Sequence, residues 1–402
     1  MSKYHPLTEQ EAIEIARSIP GVFGPEGELG CREIGDGNLN LVFHVSQAST
    51  GASLIVKQAL PYAKVVGESW PLSLDRARIE SEALRIEARL APGLVPKVYH
   101  SDDELALTVM EDLSSHVIMR RGLMNGGVYP LFAEHISDFL AKTLFFTSDL
   151  GMNQQEKKLL ARSFANPDLC KITEDLIFDH PYTNADTNSF DPHLQADAER
   201  LWSDGELHLE VALLREKFLT HAQALLHGDL HTGSIFITER STKVIDPEFA
   251  YFGPIGFDIG AVLANLLLHY AAQEHWSADE TSRKARRQYL IGTIRDIWNG
   301  FERKFRALWN EHGVDRVAGT AGYQDDYMRR LLQDAAGFAG AKAVRRIVGL
   351  SHVADIDQIP DDAVRAKAQR LSLAIGTALI KRNRQIASIE EIVDIADSAA
   401  TA

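Results

Sequence analysis

The sequence predicts an α+β protein of two lobes: an N-terminal antiparallel-sheet lobe over residues 1–113 and a mainly helical C-terminal lobe over residues 114–402. Three observations carry that expectation. Short β-prone runs separated by glycine and polar turns crowd the start of the chain. From Leu131 onward, apolar residues recur mostly at helical spacing. Between them, Arg120 to Pro130 contains Gly122, Gly126 and Gly127 and has the composition of a connecting loop. The boundary is placed near Asp112 to Ser115.

With 402 residues, 45% of them apolar and 24% charged, the chain can bury the cores of two or three domains. A net charge of −14 argues against a nucleic-acid or anionic-membrane binder, since both would be repelled at long range. A polyphosphate ligand is compatible only with a locally basic pocket or a bound cation. Cys31 and Cys170 match no zinc or redox spacing and are expected as free thiols in a reducing cytoplasm. The opening MSKYHPLTEQ lacks the basic-then-apolar pattern of a signal peptide. No apolar run reaches the roughly 18 residues of a membrane span.

In chain order, Thr8-Glu9-Gln10-Glu11 has capping-box spacing and predicts a short helix ending near Pro20-Gly21. Leu29 to Ile34, Leu41 to Ser46 and Ser53 to Gln58 are expected as strands of an antiparallel meander. Between the first two lies Gly35-Asp36-Gly37-Asn38-Leu39-Asn40. Gly35 and Gly37 would let backbone amides approach a phosphate, with Asn40 adding a side-chain donor. Alone, this segment is an ordinary hairpin turn. Lys57, a cation closing the apolar strand Leu54-Ile55-Val56, turns the reading toward a nucleotide, with the lysine on the α- and β-phosphates.

A loop with Trp70 and two prolines precedes a predicted helix over 74–90, which carries Glu80 and Glu82. Either is placed to pair with Lys57. Lys97 to His100 and Leu105 to Met110 are expected as further strands. The exit Glu111-Asp112-Leu113 offers backbone groups to an adenine edge. Helices are expected over 131–144, 153–163, 168–177, 206–226, 257–270, 281–312, 323–348, 361–382 and 388–399. His180 to Pro192 is polar and irregular, suiting a surface loop or inserted lid.

The chemistry concentrates at 226–248. Asp229 lies in a loop before the β-prone run Ile235-Phe236-Ile237, where it can accept or orient the proton of an incoming hydroxyl. A second apolar run, Val244-Ile245, delivers Asp246 and Glu248, separated by Pro247. Two acids one residue apart in an extended segment point the same way and suit a hard cation, magnesium. His227 and His231 do not make a zinc site, because Gly228 opposes the helix they would need and no further ligands complete a tetrahedron. Three converging acids suggest phosphoryl transfer.

His227-Gly228-Asp229-Leu230-His231 resembles the catalytic loop of aminoglycoside phosphotransferases and choline kinases, which share a protein-kinase-like fold. The longer strings at 227–235, 246–260 and 35–43 are similar to those of the methylthioribose kinase family, over nearly the whole chain. That resemblance implies transfer of the γ-phosphate of ATP to the 1-hydroxyl of 5-methylthioribose, in methionine salvage, by a homodimer. It selects Glu80 as partner of Lys57, and puts Ser234 where related kinases carry a metal-binding asparagine. It gives Asp246 and Glu248 the metal, and Arg345-Arg346 the sugar and transferred phosphate. Without it, adjacent arginines at a helix end are solvated or cap the helix dipole. Asp258 is expected to anchor the catalytic loop. A choline, homoserine or aminoglycoside kinase, and a nucleotide-binding module without turnover, share enough of these features to stay open.

Overall fold

The computed structural model describes residues 4–401 apart from 26, 36–38 and 64–66. Gly37 of the predicted glycine loop lies outside the described residues. Helix α1 (Glu9–Arg17) opens with the expected capping box: Glu11 N donates to Thr8 Oγ1 at 3.3 Å and Thr8 N to Glu11 Oε2 at 2.9 Å. Strands β1 (Leu29–Glu33), β2 (Asn40–Gln47) and β3 (Ser53–Ala59) form the antiparallel meander. A short ribbon, β4 (Tyr62–Ala63) with β5 (Gly67–Pro71), follows where a loop was expected. Helix α2 (Arg76–Leu90) crosses behind, and β6 (Val98–Asp102) and β7 (Leu107–Glu111) complete a five-stranded sheet in the order β1-β2-β3-β7-β6. Its core joins Phe43, Val45, Leu54, Val56 and Val109 to Ala12 and Ala16 of α1.

The chain then enters the helical lobe through β8 (Val117–Ile118) and α3 (Met119–Met124). The loop expected over 120–130 is therefore partly helix. Met119 and Leu123 pack into the core and Met124 is buried, while the glycines in that window dilute their pattern. Next come α4 (Phe132–Phe146), α5 (Gln154–Ser163) and α6 (Pro167–Phe178). The irregular 180–192 segment begins with a 3-10 turn, His180–Tyr182, whose Pro181 and Tyr182 are buried. Helices α7 (Gln195–Ser203) and α8 (Gly205–Thr220) follow, α7 having been unforeseen.

The helix expected to run to residue 226 stops at Thr220. Residues Ala224–Leu226 instead form strand β9, because they pair with a distant segment that local periodicity does not reveal. Strands β10 (Ile235–Ile237) and β11 (Thr242–Val244) form a hairpin to which β8 adds an edge, and β12 (Tyr251–Gly253) returns to pair with β9.

Helix α9 (Gly256–Trp276) is buried on every side from Gly256 to Gln273, as an all-round apolar helix must be. Around it pack α10 (Glu280–His312), α11 (Tyr323–Val348), the short α12 (Ala354–Asp357), α13 (Asp362–Arg382) and α14 (Ile389–Thr401). Helices α9 and α11 approach closely. A Cβ on Gly256 would stand 2.6 Å from Asp334 Cβ, and one on Gly260 2.6 Å from the Ala335 carbonyl oxygen. Both cysteines are unpaired. Among the described residues, no helix is long and apolar enough to cross a membrane.

Candidate active site

Two charged clusters meet between the sheet lobe and the β9–β12 segment. The first is acidic. Lys57 Nζ, midway along β3, lies 2.8 Å from Glu80 Oε1 and is also bonded to Asp246 Oδ1. Of the two glutamates on α2, Glu80 is thus the one that meets the lysine, while Glu82 pairs with Arg78 at the surface. Asp246 adopts a left-handed backbone (φ 71°), which aspartate tolerates better than most residues. Pro247 begins a buried 3-10 turn that carries Glu248 back under α2. Carboxylate oxygens of Glu80, Asp246 and Glu248 all lie within 4.8 Å of one another.

Arg76 completes this cluster and was not anticipated from the sequence. Its buried guanidinium donates from Nε to Glu248 Oε2 at 3.1 Å and from Nη1 to the Leu60 carbonyl at 2.8 Å. It also reaches Asn40 Oδ1 at 3.1 Å, and Asn40 Nδ2 lies 3.3 Å from Glu248 Oε2. Arg76 and Glu80 are one helical turn apart on one face of α2, a spacing that could have flagged the arginine once Glu80 was chosen. Asn166, equally unforeseen, donates to the Glu248 and Ala250 carbonyls at 2.9 and 3.2 Å.

Three carboxylates thus face two cations. Burial and the neighbouring acids push the Glu80 carboxyl up to about 7, against the pull of Lys57. Burial and Asp246 raise Glu248 as well. Lys57 is held firmly charged: burial opposes its charge, and the three acids outweigh it. Asp246 remains below its ordinary value because Lys57 outweighs its burial.

The second cluster surrounds Asp229. Its loop is fixed from beneath by Asp258, whose Oδ2 and Oδ1 accept the backbone N–H groups of His227 at 2.7 Å and Gly228 at 3.1 Å. Gly228 has φ +84°, and a Cβ there would stand 2.2 Å from the Phe249 carbonyl oxygen. No other residue fits. His231 Nδ1 accepts from the N–H groups of Gly233 and Ser234, both at 3.0 Å, so its proton sits on Nε2, 3.3 Å from Asp229 Oδ2. Burial holds this imidazole neutral, down to about 4. Lys342 Nζ, from α11, lies 3.0 Å from Asp229 Oδ1. Burial raises the Asp229 carboxyl, but Lys342, His231 and Arg346 outweigh it and hold it well below the usual carboxylate range.

Arg345 and Arg346, in the last turn of α11, are buried rather than solvated, and among the described residues their Nε atoms have no hydrogen-bond partner. Their charges act on Asp229. Burial lowers both guanidinium groups, a cost that an anionic ligand would offset. Lys342 went unnoticed in the sequence. Its only signal there is its position three and four residues before the arginine pair, on the same helix face.

The remaining predicted residues take other places. Ser234 Oγ bonds within the loop, 3.1 Å from the Asp229 carbonyl oxygen. Glu111 Oε2 meets Lys243 Nζ at 3.3 Å. Asp112 accepts Ser53 Oγ at 2.7 Å, and Leu113 is buried at the exit from β7. Gly35 sits in an exposed turn. Glu111, Asp112, Leu113 and Gly35 belong to neither cluster.

A small sheet lobe over a helical lobe, with a lysine–acid cluster facing a cation-flanked aspartate, defines the class as a phosphotransferase of protein-kinase-like fold. The chain matches the profile of the Phosphotransferase enzyme family over residues 30–292 and belongs to it. Within that family it groups with the methylthioribose kinases. It is 54% identical to the methylthioribose kinase of Geobacillus sp. (strain WCH70) over 97% of this chain and 95% of that one. To the methylthioribose kinase of Bacillus cereus (strain AH820) it is 48% identical over 96% and 95%. A solved glucosamine kinase (crystal form B) aligns at a TM-score of 0.47 and 14% identity, covering 92% of this chain and 82% of that one.

Proposed function

We propose that this chain transfers the γ-phosphate of ATP to the 1-hydroxyl of 5-methylthioribose, giving 5-methylthioribose 1-phosphate for methionine salvage. It does so in the cytoplasm, as a homodimer. The observation that carries the reading is the linkage of the two clusters through His227: a donor side of Lys57, Glu80, Asp246 and Glu248, and an acceptor side of Asp229 with Lys342, Arg345 and Arg346.

On the donor side, Lys57 engages the α- and β-phosphates from a position fixed by Glu80. The glycine turn and Asn40 cover the phosphates, and the backbone of Glu111, Asp112 and Leu113 meets the adenine, with the lobes divided after Leu113. The excess of carboxylates over cations fits a divalent ion. Asp246 and Glu248 would hold magnesium, which supplies neutralisation of phosphate charge; Ser234 fits less well, its hydroxyl being engaged in the loop.

On the acceptor side, Asp229 receives the proton of the 1-hydroxyl as that oxygen bonds to the γ-phosphorus and the bond to the β–γ bridging oxygen breaks. Its ionised state, set by Lys342, His231 and Arg346 against the effect of burial, suits that role. Arg345 and Arg346 meet the sugar and the charge on the transferred group, each with an Nε donor that has no partner among the described residues.

The test is a labelled-ATP assay with 5-methylthioribose, ribose, choline, homoserine and an aminoglycoside, run on the unaltered chain and on Asp229→Ala. Transfer to 5-methylthioribose is expected from the former and none from the latter, with nucleotide binding retained. Wild-type turnover by Asp229→Ala would sink the assignment.

A further inference from the structure

We propose that Lys342 is a positioning residue for the reacting carboxylate: its ammonium, 3.0 Å from Asp229 Oδ1, holds that oxygen and presents Oδ2 to the sugar hydroxyl. The inference rests on the reading of Asp229 as the group that receives the acceptor's proton.

Lys342 is a poor choice for packing alone. Its side chain is 3% exposed, on a stretch of α11 whose neighbours Ala341 and Ala343 are also buried. An ammonium is costly to bury, and an apolar side chain of similar volume would serve the core as well or better. Among the described residues its one hydrogen-bonding acceptor is Asp229. The charge is thus held where it touches the reacting group and little else.

The lysine is also held in place. Its Nζ lies 4.6 Å from the centroid of the Phe257 ring, a cation–π contact. Phe257 adjoins Asp258, the residue that binds the backbone of His227 and Gly228. One turn of α9 therefore locates both the loop carrying Asp229 and the cation that orients its carboxylate. The separation of α9 from α11 is fixed by the close approaches at Gly256 and Gly260. A carboxylate free to turn about its terminal torsion loses this register, and a misplacement of about 1 Å costs about a hundredfold in rate.

The test compares K342M, which keeps length without charge, with the unaltered chain by steady-state kinetics and by calorimetric titration with ATP. kcat is expected to fall about a hundredfold, while the KM and Kd for ATP stay within about twofold. In a D229N background, K342M should add no further loss, because the lysine acts through the aspartate. A kcat within about threefold of the unaltered value, a loss expressed mainly in the KM for ATP, or full multiplication with D229N would each overturn the proposal. Should K342M fail to bind nucleotide, K342Q replaces it under the same criteria, and failure of both assigns Lys342 to the fold and overturns the proposal. If the unaltered chain uses another acceptor of the panel instead, the functional reading fails and the same comparison is made with that acceptor.

Discussion

The imidazole of His227 donates from Nε2 to the carbonyl oxygen of Ile245, 2.8 Å away. With that proton on Nε2, Nδ1 is left to accept the backbone N–H of Asp229 at 3.3 Å. One ring thus ties the loop of the acceptor-side acid to the residue just before the donor-side acid, Asp246. His227→Ala should lower kcat about a hundredfold by loosening that register, and stability by about 1–3 kcal/mol because the partly buried Ile245 carbonyl loses its donor. Kinetics and urea denaturation measure both, and an unchanged kcat would show that the ring does not set the spacing.

Gly228 admits no side chain. With φ +84° and the Phe249 carbonyl oxygen 2.2 Å from where a Cβ would stand, Gly228→Ala combines backbone strain with a clash against main chain. A loss of about 3 kcal/mol or more is expected, with turnover abolished. A folded, active variant would mean that the loop can move away.

The two glutamates of α2 should separate cleanly. Glu80→Ala removes the buried partner of Lys57 and should raise the KM for ATP, with a stability loss of about 1–3 kcal/mol. Glu82→Ala touches only the surface pair with Arg78 and should cost under about 1 kcal/mol, with kinetics unchanged. Equal effects from the two would contradict the assigned pairing.

Activity should fall on the alkaline side as Lys342 loses its proton. Burial lowers this amine to about 8, against the pull of Asp229. The ammonium is therefore present at lower pH and lost as pH rises through that value. A fall in kcat centred near pH 8 is expected, moving upward in Lys342→Arg, whose guanidinium does not titrate there. An unmoved limb in that variant would assign the titration to another group.

Glu248→Gln should raise the magnesium concentration needed for half-maximal activity by about tenfold or more. Arg76 and Asn40 would then face a neutral amide, so the variant also tests whether the buried arginine has a second role. A magnesium titration matching the unaltered chain would count against Glu248 as a ligand.

The sheet lobe was legible because its strands carry their own signals: period, glycine turns and a lysine after the apolar run Leu54-Ile55-Val56. Asp229, Asp246 and Glu248 were legible because they are packed into one short stretch. What escaped depends on partners far away in sequence. Residues 224–226 continue the apolar pattern of α8, and only pairing with β12 makes them a strand. Arg76 looks like any charged residue on an amphipathic helix until Glu248, far along the chain, arrives beneath it. Lys342 gains its meaning from the approach of α11 to α9, set by two glycines that have no local signature.

The pairings around the site are concentric, β10 with β11 inside and β9 with β12 outside. This settles where evolution or an engineer can change the length of the chain. Glu239 and Arg240, at the exposed tip of the inner hairpin, can accept added residues or a fused tag without disturbing anything inward. A single residue added between Leu226 and Ile235, or between Val244 and Tyr251, shifts one acid against the other, and the enzyme should tolerate neither.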